Sequence, residues 1–236
     1  MNKTLLGAGA VILSAWALLG TGLAAEKAVK LPAPALDMPT GTENARETAV
    51  FAGGCFWGVQ AVFQHTQGVL NAVSGYAGGA KESANYRNVG TGQTGHAESV
   101  QISYDPKQIS YGKLLQIYFS VAHDPTQLNR QGPDSGTQYR SAVFYTNAGQ
   151  KEVAERYVAQ LEAARLFHGR IVTQLAPLKA FYPAEAYHQN YATLNPYSPY
   201  IAQFDRPKIA NLKTEMPELY REKPVLVSSQ SASAGS

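Results

Sequence analysis

Apolar and polar positions divide the chain into zones before any residue is singled out. Residues 1–25 (MNKTLLGAGAVILSAWALLGTGLAA) carry one charge, Lys3, then an uninterrupted uncharged stretch from Leu5 that closes on Ala24 and Ala25. A basic start, an apolar middle and a small-residue exit are the parts of a secretory signal peptide. The rival reading is an uncleaved anchor, since the stretch approaches the ~20 residues that span a bilayer. Its many Gly and Ala residues make it weakly hydrophobic, so cleavage near Ala24 or Ala25 and a periplasmic destination are expected, with an N-terminal membrane anchor as the alternative. Residues 26–47 contain Pro32, Pro34 and Pro39 and mixed charges without an apolar period, which predicts a flexible linker. Residues 227–236 are almost wholly Ser, Ala and Gly, and a disordered tail is expected over 220–236. One folded domain over 48–219 remains.

Within that domain the periodicity alternates between strand and helix. Residues 48–52 form a short β-type run that stops at Gly53-Gly54, after which Phe56, Val59, Val62 and Phe63 share one helical face. A strand, a glycine turn and a helix beginning at or beside Cys55 are predicted. Residues 69–76 and 97–104 read as strands on either side of a glycine-laden loop. Leu114, Leu115, Tyr118 and Phe119 recur at helical spacing within 110–122, and 141–145 is a compact strand. Asn147 with Gln150 marks a helix start, and that helix carries Val153, Tyr157 and Leu161 toward an end near His168-Gly169. A last strand over 171–175 and a short helix over 183–191 complete the pattern. Helices packed on one sheet, an α+β sandwich, are expected.

Composition changes this picture at one residue. With 44% hydrophobic and 16% charged residues the chain is globular, and a net charge of +3 spread over interspersed signs implies no nucleic-acid partner. Cys55 is the single cysteine, so no intramolecular disulfide and no CxxC pair exist. In an exported chain, where cysteines usually pair, an unpaired one is an inert hydrophobe, an intermolecular link or a reactive thiol. Its surroundings favour the last. A helix N-terminus offers unpaired N–H groups and the positive end of the helix dipole, both of which stabilise a thiolate. Gly53 and Gly54 leave the approach open, while Phe56 and Trp57 supply apolar walls and an indole N–H. None of the five histidines stands in an HxH, HExxH or Cys/His pattern, so no metal site is expected. His96, His123 and His188 are the candidates for a base if Cys55 served a hydrolase or acyltransferase.

The run Gly54-Cys55-Phe56-Trp57-Gly58 resembles the signature of the peptide methionine sulfoxide reductase A family. Further blocks resemble that family in the same order: Asn85-Tyr86-Arg87, GQTGHAE over 92–98, Tyr104-Asp105-Pro106, His123-Asp124-Pro125, DSGTQYRS over 134–141, FYPAE over 181–185 and Tyr187-His188-Gln189. The resemblance runs from about Val50 to Asn195. It implies an α+β fold on a ferredoxin-like split βαβ core, with helices on a mixed sheet and an extended C-terminal coil. The implied reaction is reduction of methionine-S-sulfoxide, free or in proteins, to methionine, with no bound cofactor; the implied role is repair of oxidised proteins and peptides by a monomer.

Position by position, the resemblance makes Cys55 the nucleophile on the sulfoxide sulfur and gives Phe56 and Trp57 the S-methyl group. Glu98 becomes the acid at the sulfoxide oxygen, Tyr86 and Tyr139 become hydroxyl donors to it, and Asp134 a polar support. Donors aimed where charge develops stabilise the transition state more than the ground state. To donate near neutral pH, Glu98 must be buried among apolar groups. Taken singly these residues read otherwise: Glu98 as the solvent-facing residue of an alternating strand, Asp134 as a turn residue, the tyrosines as packing. The product on the enzyme is a cysteine sulfenic acid. Many relatives resolve it with further cysteines, and this chain has none. An external thiol reductant is therefore implied: thioredoxin-like, glutaredoxin or glutathione, or dithiothreitol in vitro. Ala186 stands where many relatives carry Asp, and Tyr197, Tyr200 and Phe204 receive packing roles alone. Two other classes stay open, a cysteine hydrolase or acyltransferase with a histidine base and a noncatalytic module that binds methionine.

Overall fold

The first strand, β1 (Glu47–Ala52), is apolar on both faces, as a central strand has to be. Ala49 and Phe51 enter the main core, while Val50 and Ala52 enter a second, smaller cluster. The computed structural model describes residues 26–39 and 46–228, so the expected signal peptide and the end of the tail lie outside the described residues. After β1 come α1 (Phe56–Gln64), β2 (Val69–Ala77), α2 (Tyr86–Val89), β3 (Ala97–Tyr104) and α3 (Tyr111–Ile117). A two-stranded hairpin of β4 (Arg130–Gln131) and β5 (Asp134–Ser135) precedes β6 (Ala142–Tyr145) and α4 (Ala148–Ala164). The chain ends through β7 (Gln174–Pro177), β8 (Phe181–Pro183), α5 (Tyr191–Leu194) and α6 (Arg206–Glu215).

The main sheet has the order β7-β6-β1-β3-β2-β8. Strand β3 lies antiparallel between β1 and β2, and β1 lies antiparallel between β3 and β6. The units β1-α1-β2 and β3-α3-β6 therefore interlock, each holding a strand of the other, which is the ferredoxin-like split βαβ core. Parallel β7 makes the sheet mixed, and β8 extends the opposite edge. Val59, Val62 and Phe63 of α1, Leu114 and Leu115 of α3, and Val153 and Leu161 of α4 pack with Phe51, Val100 and Ile102 of the sheet. Each large side chain so buried contributes about 1.5–3 kcal/mol of transfer free energy.

Several boundaries differ from the sequence reading. Helix α4 stops at Arg165, whose φ of 51° takes the left-handed form, ahead of the expected glycine. The last parallel strand is shifted to Gln174–Pro177, where Gln174 N–H donates to Ser141 O at 3.0 Å and sets the register on β6. In place of a helix over 183–191 stand the end of β8, a 3₁₀ turn at Ala186–His188 and, at Tyr191, the start of α5, because Phe181–Pro183 is drawn into the sheet beside β2. The C-terminal coil is broken by a π-type turn at Ile201–Asp205 and by α6, which Pro207 starts in its first turn.

The flexible-linker expectation is corrected over residues 26–39. Leu31 is buried, Val29 N–H donates to Ser120 O at 3.0 Å, Gln116 Nε2 to Leu31 O at 2.7 Å and Tyr157 OH to Pro32 O at 2.8 Å. Asp37 accepts from Ser110 Oγ and from Gly112 N–H. An extended, proline-rich strap needs no apolar period when side chains of the domain satisfy its backbone. The disordered-tail expectation is likewise corrected over 220–228, where Arg221 N–H donates to His65 O at 2.8 Å and Val225 N–H to Gln64 O at 3.0 Å. Among the described residues no helix is long and apolar enough to cross a membrane.

Candidate active site

Strand β1 passes to α1 through Gly53-Gly54. Gly54 has φ 85°, and a Cβ there would lie 2.5 Å from Gln131 Cβ, so both conformation and space require glycine. Gln131 is itself fixed, donating from Nε2 to Asp124 O at 2.6 Å and accepting from Asp124 N–H at 3.0 Å. Cys55 then stands at the N-cap of α1, 8% exposed and without a side-chain capping bond. The next N–H, that of Phe56, donates to Glu98 Oε2 at 3.1 Å. Cys55 and Glu98 are thus tied to one helix start.

Glu98 lies on β3 in phase with Val100, Ile102 and Tyr104, all buried, and is itself 3% exposed. The solvent-facing reading of Glu98 is corrected by this parity: the face it shares is the core face. Burial raises its carboxyl to about 8, the Phe56 N–H opposes the rise, and the negative charges of Asp134 and Asp205 add to it. Glu98 is therefore a neutral acid at pH 7. Cys55 departs from expectation. Burial pushes its thiol well up, the charges of Glu98 and Asp205 push it further, and the hydrogen bond from Trp57 N–H opposes them. The helix terminus does not produce a resting thiolate, because its contribution of about 0.3–1 kcal/mol is smaller than burial shifts of several pH units.

An aromatic wall stands beside the sulfur. Trp57 stacks on Tyr191 at 3.9 Å and meets Tyr200 edge-on at 6.0 Å, while Phe56 lies 5.1 Å from the His188 ring. Trp57 Nε1 donates to His188 Nδ1 at 3.2 Å. Because indole N–H can only donate, Nδ1 is the acceptor and the His188 proton sits on Nε2. Burial lowers the His188 pKa, so the ring is neutral, and it packs 4.4 Å from Tyr86. His188 thus orients two site aromatics as a hydrogen-bonded neutral ring.

Tyr86 opens α2, which Asn85 caps by accepting from Asn88 N–H at 3.0 Å. Glu185 holds this corner, accepting from Tyr86 N–H at 2.9 Å and from Tyr76 OH at 2.8 Å. Tyr139 ends the turn Thr137–Tyr139 and is partly buried. Burial first, then the charge of Glu98, raises both phenols, so Tyr86 and Tyr139 remain donors across the neutral range. Asp134 accepts from Tyr200 OH, and burial raises its carboxyl against the opposing effects of Tyr200 and Lys208. The packing-only reading of Tyr200 is corrected here: it tethers Asp134 and, with Phe204, lines a small cavity beside Cys55.

Two of the three candidate bases are engaged elsewhere. His96 accepts from Gly79 N–H at Nδ1 (3.2 Å) and donates from Nε2 to Ala80 O (2.9 Å). His123 donates from Nδ1 to Tyr118 O (3.0 Å) and accepts at Nε2 from Ser141 Oγ (2.7 Å), and burial lowers its pKa to about 3. His188 gives its free lone pair to Trp57. No histidine is arranged to take the Cys55 proton, so a hydrolase is not favoured. Among the described residues no group of three or more His, Cys, Asp or Glu side chains is placed to hold a metal ion.

The family model for peptide methionine sulfoxide reductase matches residues 47–219. Peptide methionine sulfoxide reductase MsrA 2 of Mesorhizobium japonicum is 64% identical over 185 residues, covering 78% of this chain and 95% of its own length. MsrA of Pasteurella multocida is 46% identical over 175 residues, 74% of this chain and 99% of that protein. Among solved structures, reduced Mxr1 of Saccharomyces cerevisiae superposes with a TM-score of 0.59 at 32% identity, covering 68% of this chain and 93% of that one. Methionine sulfoxide reductase A of Corynebacterium diphtheriae gives a TM-score of 0.57 at 36% identity, covering 76% and 92%. Motif order, strand topology and relatives agree: the chain belongs to the peptide methionine sulfoxide reductase family and is an oxidoreductase.

Proposed function

We propose that, within the methionine sulfoxide reduction that defines the family, Cys55 bonds to the sulfur of methionine-S-sulfoxide while Glu98 protonates its oxygen. The S–O electron pair moves to oxygen as the substrate S–O bond breaks; that oxygen then bonds to the Cys55 sulfur as a sulfenic acid while the transient bond between Cys55 and the substrate sulfur breaks and its electron pair leaves with methionine. The thiol proton replaces the one that Glu98 gave, so a sulfoxide and a thiol become a thioether and a sulfenic acid with nothing left over. Tyr86 and Tyr139, neutral and protonated, add donors where negative charge develops. Phe56 and Trp57 receive the methyl group, and Asp134 with Tyr200 supports their side of the site. In this reading the methyl group, the oxygen and the attacked face of the sulfoxide sulfur each meet a different part of the site. That arrangement selects one sulfoxide epimer.

The observation that carries this reading is the buried Glu98, its carboxyl raised to about 8 by burial, bonded to the first N–H of the helix that Cys55 begins. A single cysteine leaves resolution to an external thiol, thioredoxin-like or of the glutaredoxin and glutathione kind. One equivalent forms a mixed disulfide with loss of water, and a second releases Cys55 and the oxidised reductant. The experiment is a turnover without reductant. One methionine and one dimedone-reactive sulfenic acid per chain are expected from the S epimer, and neither from Cys55→Ser. Full turnover by that variant would sink the assignment.

The basic start, apolar stretch and Ala24-Ala25 exit support export and repair of extracytoplasmic proteins. N-terminal sequencing of the exported protein tests this, with a mature start at Ala25 or Glu26 expected.

A further inference from the structure

Lys208 lies on the first turn of α6 and is 5% exposed. Its ammonium is 3.8 Å from Glu26 Oε2 and 3.8 Å from Asp205 Oδ1. Charge-assisted hydrogen bonds close to about 2.7–2.9 Å, so this cation is shared between two carboxylates and bound closely to neither. Glu26 Oε2 and both Asp205 oxygens accept no hydrogen bond among the described residues. Buried charges left this way are costly, and a cluster selected for stability alone would close the gaps. Asp205 also stands at the N-cap of α6 without capping it. Its carboxylate turns to α1 instead, where a Cβ on Gly58 would strike Oδ1 and lie 3.3 Å from Lys208 Cδ. A cavity of about 10 Å³, room for one water at most, is lined by Cys55, Asp134, Tyr200 and Lys208, with Glu26 supplied by the N-terminal strap.

We propose that Lys208 is a positioning residue for the reacting thiol: held between Glu26 and Asp205, its ammonium supplies the counter-charge that lets the buried Cys55 ionise. The S–H proton leaves to solvent, because Glu98 already holds its own proton, and Lys208 keeps its protons. Of the other groups facing Cys55, the Trp57 N–H favours ionisation, and the rest oppose it or are silent. Beyond burial itself, Glu98, Asp205 and Asp134 disfavour the thiolate. The phenols of Tyr86, Tyr139 and Tyr200 are all raised by burial and stay neutral, as does the lowered His188. Burial also works against the charge on Lys208, yet Glu26, Asp205, Cys55 and Asp134 outweigh it and hold the ammonium protonated. Coupling of this kind is reciprocal: whatever a thiolate contributes to keeping Lys208 charged, Lys208 returns to the thiolate.

The inference rests on Cys55 as the reacting thiol, and its test reads that thiol rather than turnover, so the two readings fail separately. With one cysteine in the chain, the pH profile of iodoacetamide alkylation of the full-length protein reports Cys55 alone. Lys208→Met is expected to raise its apparent pKa by about one pH unit or more, and Lys208→Arg to leave it within about half a unit. Asp205→Asn and Glu26→Gln, which keep the ammonium and remove an opposing carboxylate, are expected to lower it. A merely structural cluster would loosen in every variant, expose the sulfur and move all the profiles downward together. A Lys208→Met profile equal to or below that of the wild type overturns the proposal. If Lys208→Met does not fold, Lys208→Arg and Glu26→Gln together decide: an Arg profile within about half a unit of wild type beside a lowered Gln profile supports the proposal, and any other combination, both moving down together included, overturns it.

Discussion

Glu98 and Asp205 are both buried carboxylates whose charge reaches Cys55, and they hold protons differently. Glu98 is 3% exposed and is raised by burial to about 8; Asp205 is 0% exposed and is raised by burial to about 6 only. Hydrogen bonding does not explain the order, because Glu98 has the Phe56 N–H while neither Asp205 oxygen accepts a bond among the described residues. The difference is one cation. Lys208 opposes the desolvation of Asp205, and no cation does the same for Glu98 among the described residues. At pH 7 one side of the site therefore offers a proton and the other a negative charge balanced by an ammonium. Burial alone does not make an acid; burial without a counter-charge does.

The largest test of that contrast is Glu98→Gln. Gln keeps an acceptor for Phe56 N–H but has no acidic proton, so sulfenic acid formation should slow by roughly 10²–10³-fold. Asp205→Asn should slow it less than about tenfold. Rapid-quench measurement of the first turnover compares the two, and equal losses would erase the distinction between acid and supporting anion. The same variant carries a pH signature. Glu98 keeps its proton to about 8 when folded and releases it near 4.5 when unfolded, so between those values the folded state binds the extra proton and wild-type stability falls as pH rises. Glu98→Gln lacks this loss. Its melting temperature relative to wild type should climb from pH 5 to pH 8, and a constant difference would show that Glu98 is ionised in the folded enzyme.

Much of the Glu98 side was legible in the sequence. The strand from Ala97 to Tyr104, the helix after Cys55 and the Asn147 cap follow from local periodicity, and the residues at Cys55, Glu98, Tyr86, Tyr139 and Asp134 follow from ordered motifs. The burial of Glu98 was expected only from the resemblance, since a charged residue in an alternating strand reads by itself as solvent-facing. The Asp205 side was not legible. Asp205 and Lys208 stand in no motif, and their meaning depends on α6 packing against Gly58, a contact more than 140 residues away in the chain. Glu26 was hidden for a related reason: a proline-rich segment without apolar period gives no local sign that a domain surface will hold it. Long-range polar contacts leave no period to detect.

Gly58→Ala breaks the Asp205 side by shape alone. The α1 backbone tolerates alanine and would gain about 1 kcal/mol of helix propensity. The new methyl group, however, collides with Asp205 Oδ1 and lies 2.8 Å from its Cγ, with no solvent into which the side chain can retreat. A net loss of about 1–3 kcal/mol in chemical denaturation is expected. Asp205→Ala placed in the Gly58→Ala background should recover part of it, since the colliding atoms are gone. Strict additivity of the two losses would mean that Gly58 is required for a reason other than Asp205.

The smallest expected effect is that of Tyr200→Phe. Its ring meets Trp57 edge-on and its hydroxyl donates to Asp134, so the substitution keeps the wall and removes the tether. Asp134 loses the bond that lowers its carboxyl, and its proton affinity should rise toward the level set by burial. Stability should fall by about 1 kcal/mol, the worth of one side-chain hydrogen bond. The first-turnover rate should stay within about tenfold of wild type, because the oxygen-directed donors in this reading are Glu98, Tyr86 and Tyr139. Measured beside Glu98→Gln, the variant asks whether the two halves of the site divide as argued. A loss as large as that of Glu98→Gln would move Tyr200 from the supporting half to the donor half, and the contrast between an uncompensated acid and a compensated anion would have to be drawn elsewhere.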